Sequence, residues 1–83
     1  MTRDEMVDWT IGTMVELFEI EREEVQLDTL LVEDLGLDSI DAIDMVVRLQ
    51  ELSGRRVGDD AMKDVRTVGD LVSLVETHLA EEL

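Results

Sequence analysis

The chain is organised around one short stretch of sequence, which reads Asp34-Leu35-Gly36-Leu37-Asp38-Ser39-Ile40-Asp41-Ala42-Ile43-Asp44. Here a loop ends and an amphipathic helix begins. Asp38 is a favourable N-cap residue because its carboxylate can accept hydrogen bonds from the free N–H groups of the first turn. Asp41 adds negative charge where the helix dipole favours it. The stretch therefore predicts a helix start at which the Ser39 hydroxyl points outward beside acidic groups.

Taken alone, the dipeptide Asp38-Ser39 is explained well enough as an ordinary helix start, because both residue types are enriched there. A hydrolytic role is not expected: the sole histidine, His78, is far along the chain near the end of the last predicted helix, and Ser39 does not stand in Gly-x-Ser-x-Gly. The nearby aspartates lack the spacing of an EF-hand loop, so no specific metal site is predicted.

Composition limits the classes of function further. The 83 residues are 45% hydrophobic, which suits a single small domain, residues 1–83, burying about two-thirds of its unfolded surface. With 22 acidic and seven basic residues, the formal net charge is −15. Such a charge repels nucleic acid and anionic membranes and attracts basic protein surfaces. There is no cysteine, and the N-terminus lacks a signal-peptide layout. We therefore expect a cytoplasmic monomer that binds proteins.

Apolar periodicity predicts an all-α bundle of three longer helices and one short helix. The first helix covers about residues 3 to 18, with Thr2 and Glu5 at capping-box spacing. The second covers about 39 to 52, and Ser53-Gly54 ends it. A short helical turn, capped by Asp59 or Asp60, runs through Val65. The last helix covers about 68 to 81, with Thr67 and Asp70 at capping-box spacing. In the first long loop, Thr29 is expected to cap a short turn that Gly36 ends with a positive φ.

The second predicted helix is more apolar than a rim helix of a small bundle requires. Its apolar arc is about 240° wide at about 100° per residue, and a narrow charged strip interrupts it. The strip consists of Asp41, Asp44, Arg48 and Glu51. Either the helix is buried almost all round, or Ile40 and Val47 wait beside the strip for a partner. The interruption by charge favours the second interpretation.

The residues Val32-Glu33-Asp34-Leu35-Gly36-Leu37-Asp38-Ser39-Ile40-Asp41 closely resemble the motif of acyl carrier proteins. Ile40 replaces the leucine of the family's Asp-Ser-Leu pattern, and the resemblance extends from about Phe18 to Leu79. It implies that Ser39 is not a catalyst but carries a 4′-phosphopantetheine arm, attached from coenzyme A by a separate phosphopantetheinyl transferase. The thiol of the arm would hold acyl groups as thioesters.

The same resemblance implies partners and surfaces. The expected partners are the transferase and the ketosynthase, acyltransferase, reductase and dehydratase enzymes of a fatty-acid, polyketide or polyene pathway. The family's docking surface corresponds to Asp38, Ile40, Asp41, Asp44, Val47 and Glu51, which includes most of the strip and its apolar border. Its acyl-chain cleft corresponds to Val46, Leu49, Val57, Met62, Val65 and Leu71, positions that the periodicity alone assigns to the core.

Departures from the family's pattern bear on the pathway. Arg48, Arg55-Arg56 and Gly58 stand where many relatives have acidic or polar residues or a proline, which favours a specialised acyl pathway over housekeeping fatty-acid synthesis. Leu-Gly-Leu-Asp-Ser differs from the pattern usual in peptidyl carriers. The competing hypothesis is a non-covalent acidic helical adaptor, or nucleic-acid mimic, in which Ser39 only begins a helix.

Overall fold

The computed structural model describes residues 2–80, with the backbone alone at residues 59, 60 and 80. Three α-helices run through it: α1 (Arg3–Phe18), α2 (Ser39–Ser53) and α3 (Val68–Ala80). Two 3₁₀ turns, Arg22–Glu24 and Asp59–Met62, lie between them, and no strand occurs within residues 2–80. The predicted all-α bundle and its three longer helices are confirmed, while the predicted end of the last helix at residue 81 lies outside the described residues.

The helix boundaries follow from local hydrogen bonding. At the start of α1, the Glu5 N–H donates to the Thr2 hydroxyl at 3.2 Å and the Thr2 N–H donates to the Glu5 carboxylate at 2.8 Å. This reciprocal pair is the predicted capping box. α2 ends at Ser53. The next residue, Gly54, has a left-handed φ of 70°, and its N–H donates to the Gln50 carbonyl at 2.9 Å. Glycine adopts that backbone conformation without steric cost.

One prediction for the connection between α2 and α3 was wrong. The short helix is a 3₁₀ turn that ends at Met62 and does not reach Val65. One further turn hydrogen bond follows, from the Val65 N–H to the Met62 carbonyl at 3.1 Å, and the Arg66 carbonyl then accepts the Leu31 N–H of the long loop at 2.9 Å. The proposed cap by the side chain of Asp59 or Asp60 lies outside the described side chains.

The first long loop also differs in detail. The Thr29 hydroxyl accepts from the preceding Gln26 N–H at 2.8 Å and does not cap the turn that follows. Asp34 performs that task, since its carboxylate accepts the Leu30 N–H at 2.9 Å. Gly36 has the predicted positive φ, 68°. The 3₁₀ turn at Arg22–Glu24 was not predicted, because three polar residues carry no periodic signal.

This loop is fixed to the start of α3 by backbone hydrogen bonds. The Val68 N–H donates to Thr29 O at 3.0 Å, and the Gly69 N–H donates to Leu27 O at 2.7 Å. A Cβ at residue 69 would lie 3.0 Å from Leu27 O, so a side chain there would press on this carbonyl, and glycine lets the two backbones approach this closely. The loop is therefore folded down, as the sequence indicated, and it delivers the chain to Ser39 from a fixed position.

The core lies between the three helices and the loop in two adjoining clusters of buried apolar side chains. The larger one contains Ile11, Met14, Val25, Leu31, Met45, Val68, Leu71 and Val72. The smaller one contains Met6, Val46, Leu49, Val57 and Val75. Only one side of α2 contributes to either cluster, so its other side is left to solvent. Within residues 2–80, no helix has the length and apolar character needed to cross a membrane.

Candidate functional site

Ser39 is the first residue of α2, and its backbone is held by a second capping box. The Asp38 carboxylate accepts the N–H groups of Ile40 and Asp41 at 3.0 and 3.1 Å, and the Asp38 N–H donates to the Asp41 carboxylate at 3.0 Å. The predicted N-cap role of Asp38 is confirmed. These bonds surround Ser39 and fix its backbone without using its side chain.

The Ser39 side chain is exposed, and no hydrogen bond among the described residues involves its hydroxyl. Several other hydroxyl groups are already hydrogen-bonded: those of Thr2 and Thr67 cap helices, and that of Thr10 donates to Met6 O at 2.7 Å. His78, the only histidine in the sequence, is half-buried with Nδ1 3.0 Å from Leu74 O of its own helix. The Ser39 hydroxyl is thus available to an external reagent, and no described histidine is hydrogen-bonded to it as a general base.

The solvent side of α2 is an apolar surface bordered by acids. Ile40, Ile43 and Val47 are 68%, 57% and 44% exposed. Asp44 and Glu51 are exposed on the same helix, whereas Asp41 is half-buried. Side chains this exposed gain only part of the hydrophobic stabilisation of a buried residue, and a partner that covered them would supply more, so this surface is available for a partner. We call Ile40, Ile43, Asp44, Val47 and Glu51 the acidic-apolar face.

Arg48 does not belong to this face. Its guanidinium lies 3.7 Å from the Glu16 carboxylate of α1, and its side chain is directed toward that helix. The sequence placed Arg48 in the charged strip, because a helical wheel alone does not say which neighbouring helix carries an acid. With Arg48 paired, the charged side chains of the face are acidic only.

Val32, in the loop before α2, is 63% exposed and lines a cavity that Ser39 borders. This exposure was not predicted, since the loop has no period from which inward and outward positions could be read. Ile43 is also exposed and is not among the residues predicted for the docking surface.

Two cavities border Ser39. The smaller, of about 150 Å³, is lined by residues of all three helices and the loop, among them Leu37, Met45, Met62, Val65 and Leu71. The larger, of about 360 Å³, is lined by Ser39, Ala42, Ile43, Val46 and Lys63. Ala42, one turn after Ser39, borders both cavities. Its small side chain leaves space on either side of the serine.

The residues assigned to an acyl-chain cleft do not all meet at these cavities. Met62, Val65 and Leu71 line the smaller one, and Val46 lines the larger. Leu49 and Val57 are 2% exposed and belong to the smaller core cluster; neither lines a cavity that Ser39 borders. Lys63 was not predicted here, because nothing in its local sequence indicates proximity to Ser39. Within the described residues, no three acidic or histidine side chains form a possible metal site.

Comparison with known proteins adds to this geometry. The protein family described as "Phosphopantetheine attachment site" matches residues 8–75. The chain is 41% identical over 80 residues to "Acyl carrier protein 2" of Ralstonia nicotianae, covering 96% of this chain and 99% of that protein. It is 37% identical over 65 residues to an acyl carrier protein of Wolinella succinogenes, covering 78% and 86%, and 28% identical over 78 residues to one of Lactobacillus acidophilus, covering 94% and 98%.

Proposed function

Because the chain belongs to the acyl carrier protein family, we propose that Ser39 is the residue to which its 4′-phosphopantetheine arm is attached. The arm itself is the family's cofactor, and carriage of acyl groups on it is the function of this chain. Members of the family are carriers and not catalysts. They are modified by a phosphopantetheinyl transferase and work with synthase enzymes. The observation that supports Ser39 most directly is its exposed hydroxyl at a helix start whose backbone is already fixed.

The surroundings of Ser39 fit a bulky covalent group. Asp38 and Asp41 hold the helix start through hydrogen bonds that their carboxylates accept from backbone N–H groups. The Ser39 side chain takes part in none of them, so modification of the serine costs no hydrogen bond of the cap. The cavities on both sides of Ala42 leave room next to the Ser39 oxygen. A group attached here would stand at a rigid point of the surface and extend into solvent or along either cavity.

The attachment step needs only a nucleophilic oxygen from this chain. The Ser39 Oγ attacks the phosphorus of coenzyme A that bears the pantetheine chain. A new P–O bond forms, the phosphoanhydride bond breaks, and 3′,5′-adenosine diphosphate leaves. The hydroxyl proton passes to a base of the transferase, since His78 is bonded to its own helix. When bound, the arm supplies a terminal thiol that holds acyl groups as thioesters, which this cysteine-free chain otherwise lacks.

Intact-mass measurement after incubation with coenzyme A, magnesium and a broad-specificity transferase tests the assignment. We expect one phosphopantetheinyl group on the wild type and none on Ser39→Ala. Ser73→Ala is the matched control, because Ser73 is an exposed serine in the middle of α3 and should leave loading unchanged. A Ser39→Ala protein that still gains the arm would refute the assignment. A wild type that stays unmodified would instead favour a non-covalent adaptor.

The acidic-apolar face is the surface we propose for partner enzymes, together with Asp38, Asp41 and Val32. Its support is the exposure of Ile40, Ile43 and Val47 beside acids that have no basic neighbour on the face. Acidic groups accelerate encounter with a basic partner, and the branched side chains then supply buried apolar area. The face begins beside Ser39, so a docked enzyme would have the arm at its edge.

The finer assignments rest on the family resemblance. The proposed partners are the transferase and the ketosynthase, acyltransferase, reductase and dehydratase enzymes of an acyl-chain pathway. For the acyl chain we propose the smaller cavity, which Met62, Val65 and Leu71 line next to Ser39. Arg55 and Arg56 are exposed. Two adjacent exposed arginines on so acidic a chain support a specialised polyketide or polyene pathway over housekeeping fatty-acid synthesis.

A further inference from the structure

One of the side chains that line the larger cavity beside Ser39 is basic. Lys63, just after the second 3₁₀ turn, lines this cavity with Ser39, Ala42, Ile43 and Val46. Among the described side chains that line either cavity bordering Ser39, it is the only cation, while Asp38 and Asp41 line the other cavity. The chain as a whole has 22 acidic and seven basic residues. A basic side chain in this cavity is therefore unusual for so acidic a chain.

Attachment of the arm creates a need for such a cation. A phosphodiester on the Ser39 oxygen adds one negative charge next to the carboxylates of Asp38 and Asp41. The N-terminal end of α2 partly offsets this repulsion through its dipole. A lysine ammonium is a compact charge on a flexible stem, suited to a single phosphate group. Its aliphatic stem can pack on apolar neighbours while the charge stays hydrated.

We propose that Lys63 binds the phosphodiester of the arm and seats the first part of the arm in the larger cavity, against Ala42, Ile43 and Val46. This inference rests on the proposed attachment at Ser39. In consequence, loading joins α2 to the segment after the second 3₁₀ turn by an ion pair that the unloaded chain lacks. The loaded form should be more stable than the unloaded form by an amount that depends on Lys63.

Thermal melts of unloaded and loaded protein measure this coupling. The quantity is the loaded-minus-unloaded melting temperature, so that any effect of the substitution on folding itself cancels. At low ionic strength, we expect Lys63→Gln to reduce it by about 2–5 °C relative to the wild type, and Lys63→Arg to restore most of it. The difference should vanish at about 0.5 M salt, because the pair is solvent-accessible. Arg55→Gln is the matched control: it removes one exposed cation that lines neither cavity, and should leave the difference as in the wild type.

A second readout does not depend on stability. Loading should shift the methyl NMR signals of Ile43 and the side-chain signals of Lys63 in the wild type, and Lys63→Gln should reduce the Ile43 shift by at least half. Intact mass verifies loading in every sample, so a failure of the Ser39 assignment is recognised separately. The inference is overturned if the fully loaded Lys63→Gln protein gives the same loaded-minus-unloaded melting difference and the same Ile43 shift as the wild type.

Discussion

The starts of α2 and α3 are built from the same local parts and are used in opposite ways. Each has an N-cap oxygen and an acid at the third helical position that bond reciprocally to the backbone: Asp38 and Asp41 in α2, Thr67 and Asp70 in α3. The first helical residue is Ser39 in one and Val68 in the other. A capping box alone therefore does not distinguish a structural helix start from a functional one.

The difference lies in what each start contacts. Val68 is completely buried, and its N–H and that of Gly69 donate to the long loop before α2, at Thr29 O and Leu27 O. Ser39 is exposed, and Ile40 after it is the most exposed of the large apolar side chains described. One start is stabilised by tertiary contacts, and the other depends on its cap. This arrangement lets α2 present a reactive hydroxyl without weakening the core.

The largest expected contrast comes from substituting the first residue of each helix. Val68→Ala removes a fully buried side chain from the larger core cluster and should cost about 2 kcal/mol, lowering the melting temperature by about 8–16 °C. Ser39→Ala should change stability by less than about 0.5 kcal/mol, because its hydroxyl makes no bond to the described residues. Circular-dichroism melts measure both. Comparable destabilisation by the two variants would show that Ser39 is a structural residue and that the two helix starts do not differ in role.

Charge on the exposed side of α2 provides the next contrast. Asp44→Lys should slow loading by a basic transferase about tenfold at low salt and weaken its dependence on salt, because a local attraction becomes a repulsion. Glu23→Lys makes the same change of charge on the exposed 3₁₀ turn after α1 and should have a much smaller effect. Equal slowing by both variants would mean that net charge, and not the face of α2, directs the encounter.

Removing apolar contact area from the exposed side of α2 should slow loading less than reversing a charge there. Val47 of α2 and Leu27 beside the start of α3 are 44% and 46% exposed, so they form a matched pair. Val47→Ala should reduce loading efficiency by about three- to fivefold, which corresponds to the free energy of burying roughly one methylene group. The dependence of the rate on salt concentration should not change. Leu27→Ala should leave the rate unchanged. Initial rates across a range of salt concentrations test both; an equal loss for Leu27→Ala would place the docking surface across both regions.

The two helix starts also differ in how much of their structure could be predicted from the sequence. Both caps were predictable, because Asp38, Thr67 and Asp70 act on backbone groups within four residues of themselves. The exposure of Ile40 and Val47 was predictable from a helical wheel, since a single core cannot cover so wide an apolar arc.

What the sequence could not provide are relations between segments. Nothing near Thr29 in the sequence indicates that its carbonyl accepts the N–H of Val68 in α3. The pairing of Arg48 with Glu16 and the position of Lys63 near Ser39 likewise depend on which helices become neighbours. The residues beside Ser39 that were missed are those brought there by chain folding and not by helical period.

The acid at the third position of α3 gives the smallest predicted effect, a dependence on pH. Hydrogen bonds from the backbone N–H groups of Arg66 and Thr67 lower the pKa of Asp70 below its ordinary value. The bond from the Thr2 N–H similarly lowers the pKa of Glu5 at the start of α1. A carboxyl group whose folded-state pKa is depressed stabilises the folded state above its unfolded pKa, near pH 4 for aspartate, and loses that contribution as pH falls through the lower folded value.

Asp70→Asn should therefore destabilise the protein most at neutral pH, and the gap to the wild type should close as pH falls below about 4. Denaturant midpoints from pH 7 to about pH 2.5, in moderate salt to screen the overall charge, measure this gap. Asp64→Asn is the matched control, because it removes one charge at an exposed carboxylate that accepts no hydrogen bond from the described residues. If the Asp70→Asn gap, corrected by this control, stays constant down to the lowest pH, the cap of α3 does not depend on the charge of Asp70. The two helix starts would then differ in their contacts alone, since a neutral oxygen would suffice at the third position to hold α3 in place.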